Sequence, residues 1–464
     1  MKQALLSSAL LTDLYELTMG AGYYHNRVAQ DEASFELFVR DLPPNRSYLI
    51  VAGLEQVVDF LENLHFDAEE IDYLRGLPVF SHVDSGFFEW LADLRFEGSL
   101  YAMPEGAVAF ADEPLLRIDA PIVQAQLVET FLLTTICFQT LVATKASRIV
   151  EAARRDGRER AVIDFGSRRA HGPEAGVLAA RASTIGGCVG TSNCYAGQCF
   201  DIPVYGTAAH SWTMAFATEA EAFEAYYRAY PESSILLIDT YDTLQGARRA
   251  ARLGKALKGV RLDSGDLLQL SRQVRALLDE AGCTEAKIVA SGDLNEYKIE
   301  RLVTAGAPVD LFGVGTEMVT SKDAPVLSVV YKLVERVRDG KRLHTAKLSE
   351  EKVTYPGRKQ VYRFFDEAGR LSHDRLMLGS EAVPPGAEPL LQPILVKGRR
   401  VAEQPTTKEI QQRARQELER LPEEYKRLEE TSKYSVQRGR RLAQLLDEVK
   451  TQFVGEEKDR RILT

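Results

Sequence analysis

Hydrophobic and polar positions follow two different periods in the first part of the chain. "SFELFVRDLP" (34–43) alternates as a half-buried strand does, whereas "GLEQVVDFLENL" (53–64) repeats its apolar positions at helical spacing. Residues 122–155 form one apolar-to-amphipathic stretch that is too long for a strand and predicts a continuous helical region. From there the pattern becomes regular. Apolar runs of strand length end in Gly, Asp or Thr: "AVIDFG" (161–166), "IPVYGT" (202–207), "SILLIDT" (234–240), "KGVRLDSGD" (258–266), "KIVASGD" (287–293) and "VDLFGVGT" (309–316). Helical segments such as "DTLQGARRAARLGKALK" (242–258) lie between them. Short, wholly apolar strands alternating with helices imply a buried parallel sheet. Six such runs between residues 161 and 316 predict an irregular α/β barrel rather than an open sheet. Past residue 330 the rhythm gives way to strands with basic turns. From about residue 404 a charged helical tail follows, whose charges read as a solvated helix face. The expected domains are residues 1–125, completed by part of 325–400, then 126–325 and 326–464.

Composition narrows the function. The chain has 464 residues, enough for two or three domains, and its 45 % hydrophobic and 27 % charged content is that of a globular protein. A net charge of −9 argues against nucleic acid or an anionic membrane as partner, but leaves room for a local basic pocket. The opening "MKQALLSSALLTDLYELTMG" is no signal peptide, because serines break its apolar run and Asp13 and Glu16 follow at once. No window has the length and apolarity of a membrane span. An odd count of five cysteines argues for a reducing compartment, hence the cytoplasm. Cys188, Cys194 and Cys199 cluster in "GGCVGTSNCYAGQCF" without a CxxC pair or a nearby histidine, so buried thiols are favoured over a zinc site.

Polar residues and glycines gather at the C-terminal ends of the apolar runs, the rim on which barrels carry their chemistry. They are Asp164, Gly166, Arg168 and Arg169; Gly206, Thr207 and His210; Asp239 and Asp242; Arg261, Asp263, Ser264 and Asp266; Ser291, Gly292 and Asp293; and Gly313, Gly315 and Thr316. Together these types suit a phosphorylated sugar: backbone N–H groups and arginine forks hold phosphate, and carboxylates accept from ribose hydroxyls or bind Mg²⁺. Singly, each is also ordinary turn chemistry. "RLDSGD" reads either as two residues presented to a ligand or as a salt bridge. His210 reads either as a helix-start histidine bonded to backbone or as a nucleophile with Asp239 behind it.

The motifs "TDLYELTMGAGYY" (12–24), "DFGSRRAHGPEAG" (164–176), "YGTAAHS" (205–211), "IDTYDT" (238–243), "RLDSGD" (261–266), "ASGDLNEYKI" (290–299) and "FGVGTEM" (312–318) occur in this order. Over roughly residues 10–365 the chain closely resembles the nicotinate phosphoribosyltransferase family. The resemblance implies an N-terminal α/β sandwich domain, an irregular α/β barrel, a C-terminal extension and a homodimer. It implies nicotinate and phosphoribosyl pyrophosphate as substrates, nicotinate mononucleotide and pyrophosphate as products, Mg²⁺, and coupled ATP hydrolysis. It puts the phosphorylated histidine at His210 and its orienting carboxylate at Asp239. The nicotinate ring falls between Phe165 and Tyr15, the latter from the other subunit. Arg168, Thr207, Arg261 and Asp263 fall on substrate positions, and Ser291–Gly292 and Gly313–Gly315–Thr316 on loops for the 5′-phosphate. The cysteine-rich metal module of some relatives is not matched, so no zinc is expected. Relatives that use nicotinamide carry Asp where Ser192 stands in "GTSN" (190–193), so serine here points to nicotinate. The alternatives are nicotinamide or quinolinate as the pyridine, or a non-catalytic nucleotide-binding relative.

Overall fold

The computed structural model describes residues 8–349 and 353–462. Residues 1–7 of the segment read against a signal peptide, 350–352 of the strand-rich stretch and 463–464 of the charged tail lie outside it. The chain divides into two compact units. One takes the chain up to Thr140, Val326–Pro405 and the chain from Gln416; the other takes Leu141–Pro325 and Thr406–Arg415. The first boundary thus falls inside the helix Glu129–Ala153, not near residue 125. A separate helix, Ile122–Leu127, precedes it with Val128 between, so the stretch 122–155 holds two helices rather than one.

The first unit is built on a seven-stranded sheet whose ladders are antiparallel. Its order is Lys341–His344, Val329–Arg338, Glu32–Val39, Pro114–Pro121, Ser99–Ala102, Gln392–Val396 and Arg399–Arg400. The alternation in Glu32–Val39 suggests one wet face, yet both faces are buried, Ser34 and Glu36 included. An ion pair makes this tolerable: Lys359 Nζ lies 2.7 Å from Glu36 Oε2, and the Lys359 N–H donates to Oε1 at 2.8 Å. A second, four-stranded sheet joins Glu388–Pro389, Lys359–Phe365, Leu371–Leu378 and Val436–Arg438. Val436–Arg438 adds a strand to the tail read as charged and helical; the tail's helices are Thr407–Arg420 and Arg440–Ile462. The first of these is not simply a solvated face. Ile410 and Ala414 are buried, and Gln411 Nε2 donates to the carbonyls of Thr184 and Cys188, each at 2.8 Å.

The second unit is a parallel sheet ordered Gly190–Thr191, Ala161–Asp164, Leu311–Val314, Lys287–Ala290, Gly259–Leu262 and Ile235–Leu237. Helices such as Pro173–Ile185, Leu267–Glu280 and Glu296–Thr304 follow its strands. The run "IPVYGT" is a correction: it contributes a single bridge, Val204 to Thr191, and the strand at this place is Gly190–Thr191. Two residues are too few to leave a period in the sequence. Among the described residues no ladder joins the two end strands, so the closure expected of a barrel is not seen and the unit is an irregular α/β arrangement around a parallel sheet. No helix among them is long and apolar enough to cross a membrane.

Arg363, buried in the first unit, donates to Asp374 Oδ2 at 2.6 Å, Glu417 Oε2 at 2.8 Å and the Val108 carbonyl at 2.9 Å. Burial and the charge of Asp374 push the neighbouring Glu113 carboxyl up, against the pull of Arg363. Arg363→Met leaves these acids without their cation, and a loss of about 3–5 kcal/mol is expected. Urea unfolding checks this; an unchanged midpoint would refute it.

Candidate active site

The geometry of the rim is organised by Arg261, at the end of the Gly259–Leu262 strand and 8 % exposed. Its Nε donates to Ser291 Oγ at 2.8 Å, its Nη1 to Thr207 Oγ1 at 2.7 Å and its Nη2 to Asp263 Oδ1 at 2.6 Å. The guanidinium carbon lies 5.4 Å from the centre of the Phe165 ring. Ser291 Oγ in turn donates to Asp263 Oδ1 at 2.6 Å. Side chains two apart on a strand point the same way, which sets Arg261 and Asp263 side by side. The motif "RLDSGD" therefore forms a salt bridge that also faces the rim. Burial raises the Asp263 carboxyl; the hydrogen bonds from Ser291 and Arg261 and the charges of Arg261 and His210 outweigh it and hold the group below its ordinary range.

Two glycines make this packing possible. A Cβ on Gly313 would lie 2.4 Å from the Phe165 ring. Gly292 has φ +89°, and a Cβ there would lie 2.0 Å from the Asp263 carbonyl oxygen. Gly313 is buried in the Leu311–Val314 strand, so its part in this geometry is to admit the ring. Gly315 and Thr316 follow, Thr316 opening the short helix Thr316–Val319. Arg168 sits exposed in the Ser167–Arg169 turn, with no ion pair among the described residues.

His210 opens the helix His210–Met214, and its Nδ1 lies 3.1 Å from Thr240 Oγ1. Asp239, expected to orient the imidazole, pairs elsewhere. Its Oδ2 accepts from the Asp263 N–H at 2.9 Å and from Ser264 Oγ at 2.7 Å. Its Oδ1 is buried with no hydrogen-bond partner among the described residues. The loop after Arg261 offers two donors to Asp239, and the next residue, Thr240, meets the histidine. Asp242 and Asp266 cap helices, accepting from the N–H of Gln245 and from those of Leu268 and Gln269. Asp164 is buried; its carboxylate accepts from Thr191 Oγ1 at 2.7 Å and the Gly166 N–H at 2.8 Å, and burial pushes it up. Its carbonyl accepts from the Ser192 N–H at 2.8 Å, which ties "GTSN" to the residue before Phe165. Thr191 and Thr240 escaped the sequence reading, although both stand next to residues it named.

Cys188 is buried with its Sγ 3.6 Å from Met318 Sδ, Cys199 is half-buried and Cys194 exposed. Among the described residues no group of three or more His, Cys, Asp or Glu is placed to hold a metal.

Three family models match the chain: the nicotinate phosphoribosyltransferase N-terminal domain over residues 10–137, the nicotinate phosphoribosyltransferase family over 161–361, and the C-terminal domain over 383–446. The chain belongs to the nicotinate phosphoribosyltransferase family. A Mycobacterium tuberculosis nicotinate phosphoribosyltransferase is 47 % identical over 430 residues, covering 91 % of this chain and 89 % of that protein. A Bacillus subtilis nicotinate phosphoribosyltransferase is 40 % identical over 461 residues, covering 93 % and 92 %. The crystal structure of human nicotinic acid phosphoribosyltransferase superposes with a TM-score of 0.83 at 30 % identity, covering 94 % of this chain and 99 % of that one.

In this member of the nicotinate phosphoribosyltransferase family, Tyr15 belongs to the first unit, exposed on the helix Leu14–His25. Glu16 beside it is buried. It accepts from Thr130 Oγ1 at 2.6 Å and the Thr130 N–H at 3.1 Å, and from Thr12 Oγ1. Burial outweighs these bonds and lifts its carboxyl from 4.5 to about 7. The folded chain then holds this proton more tightly than the unfolded chain. The stability tied to it is present below pH 4.5 and lost as pH rises through about 7. Glu16→Gln flattens that decline. Unfolding midpoints at pH 5 and pH 7.5 check it, and an undiminished decline in the variant would refute it.

Proposed function

We propose that this protein makes nicotinate mononucleotide and pyrophosphate from nicotinate and phosphoribosyl pyrophosphate, coupled to ATP hydrolysis, in NAD salvage. The observation that carries the reading is the Arg261 junction, which gathers Phe165, Thr207, Asp263 and Ser291 at one place. Displacement at the ribose anomeric carbon passes through a transition state with developing positive charge, so the protein's part is to position groups and offset charge. Asp263, held ionised, accepts from the ribose hydroxyls. Phe165 supplies one face for the pyridine ring and Tyr15 of a second copy the other, so the enzyme is a homodimer. Thr207 and Arg168 contact the substrate, and the loops at Ser291–Gly292 and Gly313–Gly315–Thr316 hold the 5′-phosphate. Mg²⁺, if carried in with the substrate's phosphates, would offset leaving-group charge. The reading places the enzyme in the cytoplasm.

His210 is the phosphate acceptor. With Nδ1 engaged by Thr240, Nε2 remains as the nucleophile. A phosphoryl group there adds about two negative charges beside Asp263, and through this change of charge ATP hydrolysis favours the bound state from which product forms. His210→Ala abolishes ATP hydrolysis and acid-labile phosphate on the protein while leaving weak ATP-independent transfer. Phosphorylation of the variant at the same stoichiometry would show another acceptor.

Ser192 selects the pyridine. Its backbone is tied to Asp164, so its hydroxyl stands near the ring site beside Phe165 and donates to a carboxylate. An aspartate there repels that carboxylate. Ser192→Asp therefore lowers nicotinate kcat/KM at least about tenfold, while nicotinamide use falls far less or rises. Equal losses with both pyridines in a folded variant would contradict this role.

A further inference from the structure

We infer that Lys145 is a positioning residue for the phosphate end of the site: it sets the spacing between the loop 291–295 and the loop that follows the Thr316–Val319 helix. Lys145 lies on the helix Glu129–Ala153 and is completely buried. Its Nζ is 2.6 Å from Glu296 Oε2 and donates to Asp323 Oδ1 at 2.7 Å. Glu296, also buried, opens the helix Glu296–Thr304 immediately after the loop 291–295. Its Oε1 accepts at 3.1 Å from Nε of Arg148, on the same helix as Lys145 and three residues on. Asp323 lies beyond the Thr316–Val319 helix and follows Ser321, which has φ +40°.

One ammonium ion thus meets carboxylates from the two segments that follow the loops read above as the 5′-phosphate site. Burying that ion is costly, and an apolar side chain would fill the space at less expense. What the ion adds is geometry: both carboxylates are drawn to one point, and the segments that carry them hold the loops before them at a fixed separation. The opposite end of the first loop is held as firmly, by Ser291 on Asp263 and Gly292 against the Asp263 carbonyl. N–H groups on two loops grip a phosphate only if their spacing matches it, so a residue that touches no substrate governs this affinity.

The proposal rests on the reading of these loops as the 5′-phosphate site, and the experiment separates the two. Asp323 keeps 31 % of its side chain exposed, so Asp323→Asn weakens the clamp without emptying the core. In Asp323→Asn, KM for phosphoribosyl pyrophosphate rises at least about fivefold, while KM for nicotinate and kcat change less than about twofold. Asp323→Glu, which keeps the charge, restores much of the loss. Lys145→Met shows the same split if it folds. Competition by ribose 5-phosphate, which carries only the phosphate and sugar end, supplies the control. If it fails to compete in the unsubstituted enzyme, the loop reading is wrong and the proposal falls with it. If it competes equally well in the unsubstituted enzyme and in Asp323→Asn, the loops stand and the clamp is overturned. A purely structural role would lower stability and kcat without the selective change in KM.

Discussion

A single nearly buried guanidinium holds the catalytic rim together. Arg261 spends its donors on Ser291, Thr207 and Asp263 and sets its face near Phe165. These partners come from four separated stretches of chain. A lysine could not replace it, because the contacts need a planar fork with donors in fixed directions. The junction also has an electrostatic consequence. Asp263 stays ionised although burial opposes it, and an ionised carboxylate is the form that accepts from sugar hydroxyls. Asp239 supports the same junction from behind through the Asp263 N–H and Ser264. The carboxylate expected to serve His210 is thus, in this structure, part of the frame around Asp263.

Much of this was legible in the chain itself. The apolar runs ending in Asp, Gly and Thr mark five of the six strands of the parallel sheet, and residues near the C-terminal ends of the quoted runs are the ones Arg261 collects. The exceptions have physical causes. Gly190–Thr191 is too short to show a period, and "IPVYGT" has the composition of a strand but makes only one bridge. Glu36 and Lys359 look like solvent-facing residues until the fold pairs them across 323 positions of sequence. Lys145 on its helix is as silent, since a lone lysine at helical spacing carries no sign that two loops will meet it. Asp242 and Asp266 were legible as rim residues, but a carboxylate before a helix caps it, and theirs do.

In the reading proposed above, the fold alone does not choose the pyridine. On that reading the choice rests on a few side chains around Phe165. Their backbone is fixed by buried bonds from Asp164 to Gly166, Thr191 and Ser192. This division fits a scaffold in which buried hydrogen bonds hold the loops and a few side chains at the mouth set specificity.

The central claim is the reaction itself. The direct measurement is pyrophosphate release by the purified protein from phosphoribosyl pyrophosphate with nicotinate, nicotinamide or quinolinate, each with and without ATP. The account predicts release with nicotinate well above that with the other two, increased by ATP and accompanied by nicotinate mononucleotide. Equal or greater release with nicotinamide or quinolinate, or none with nicotinate, would contradict it.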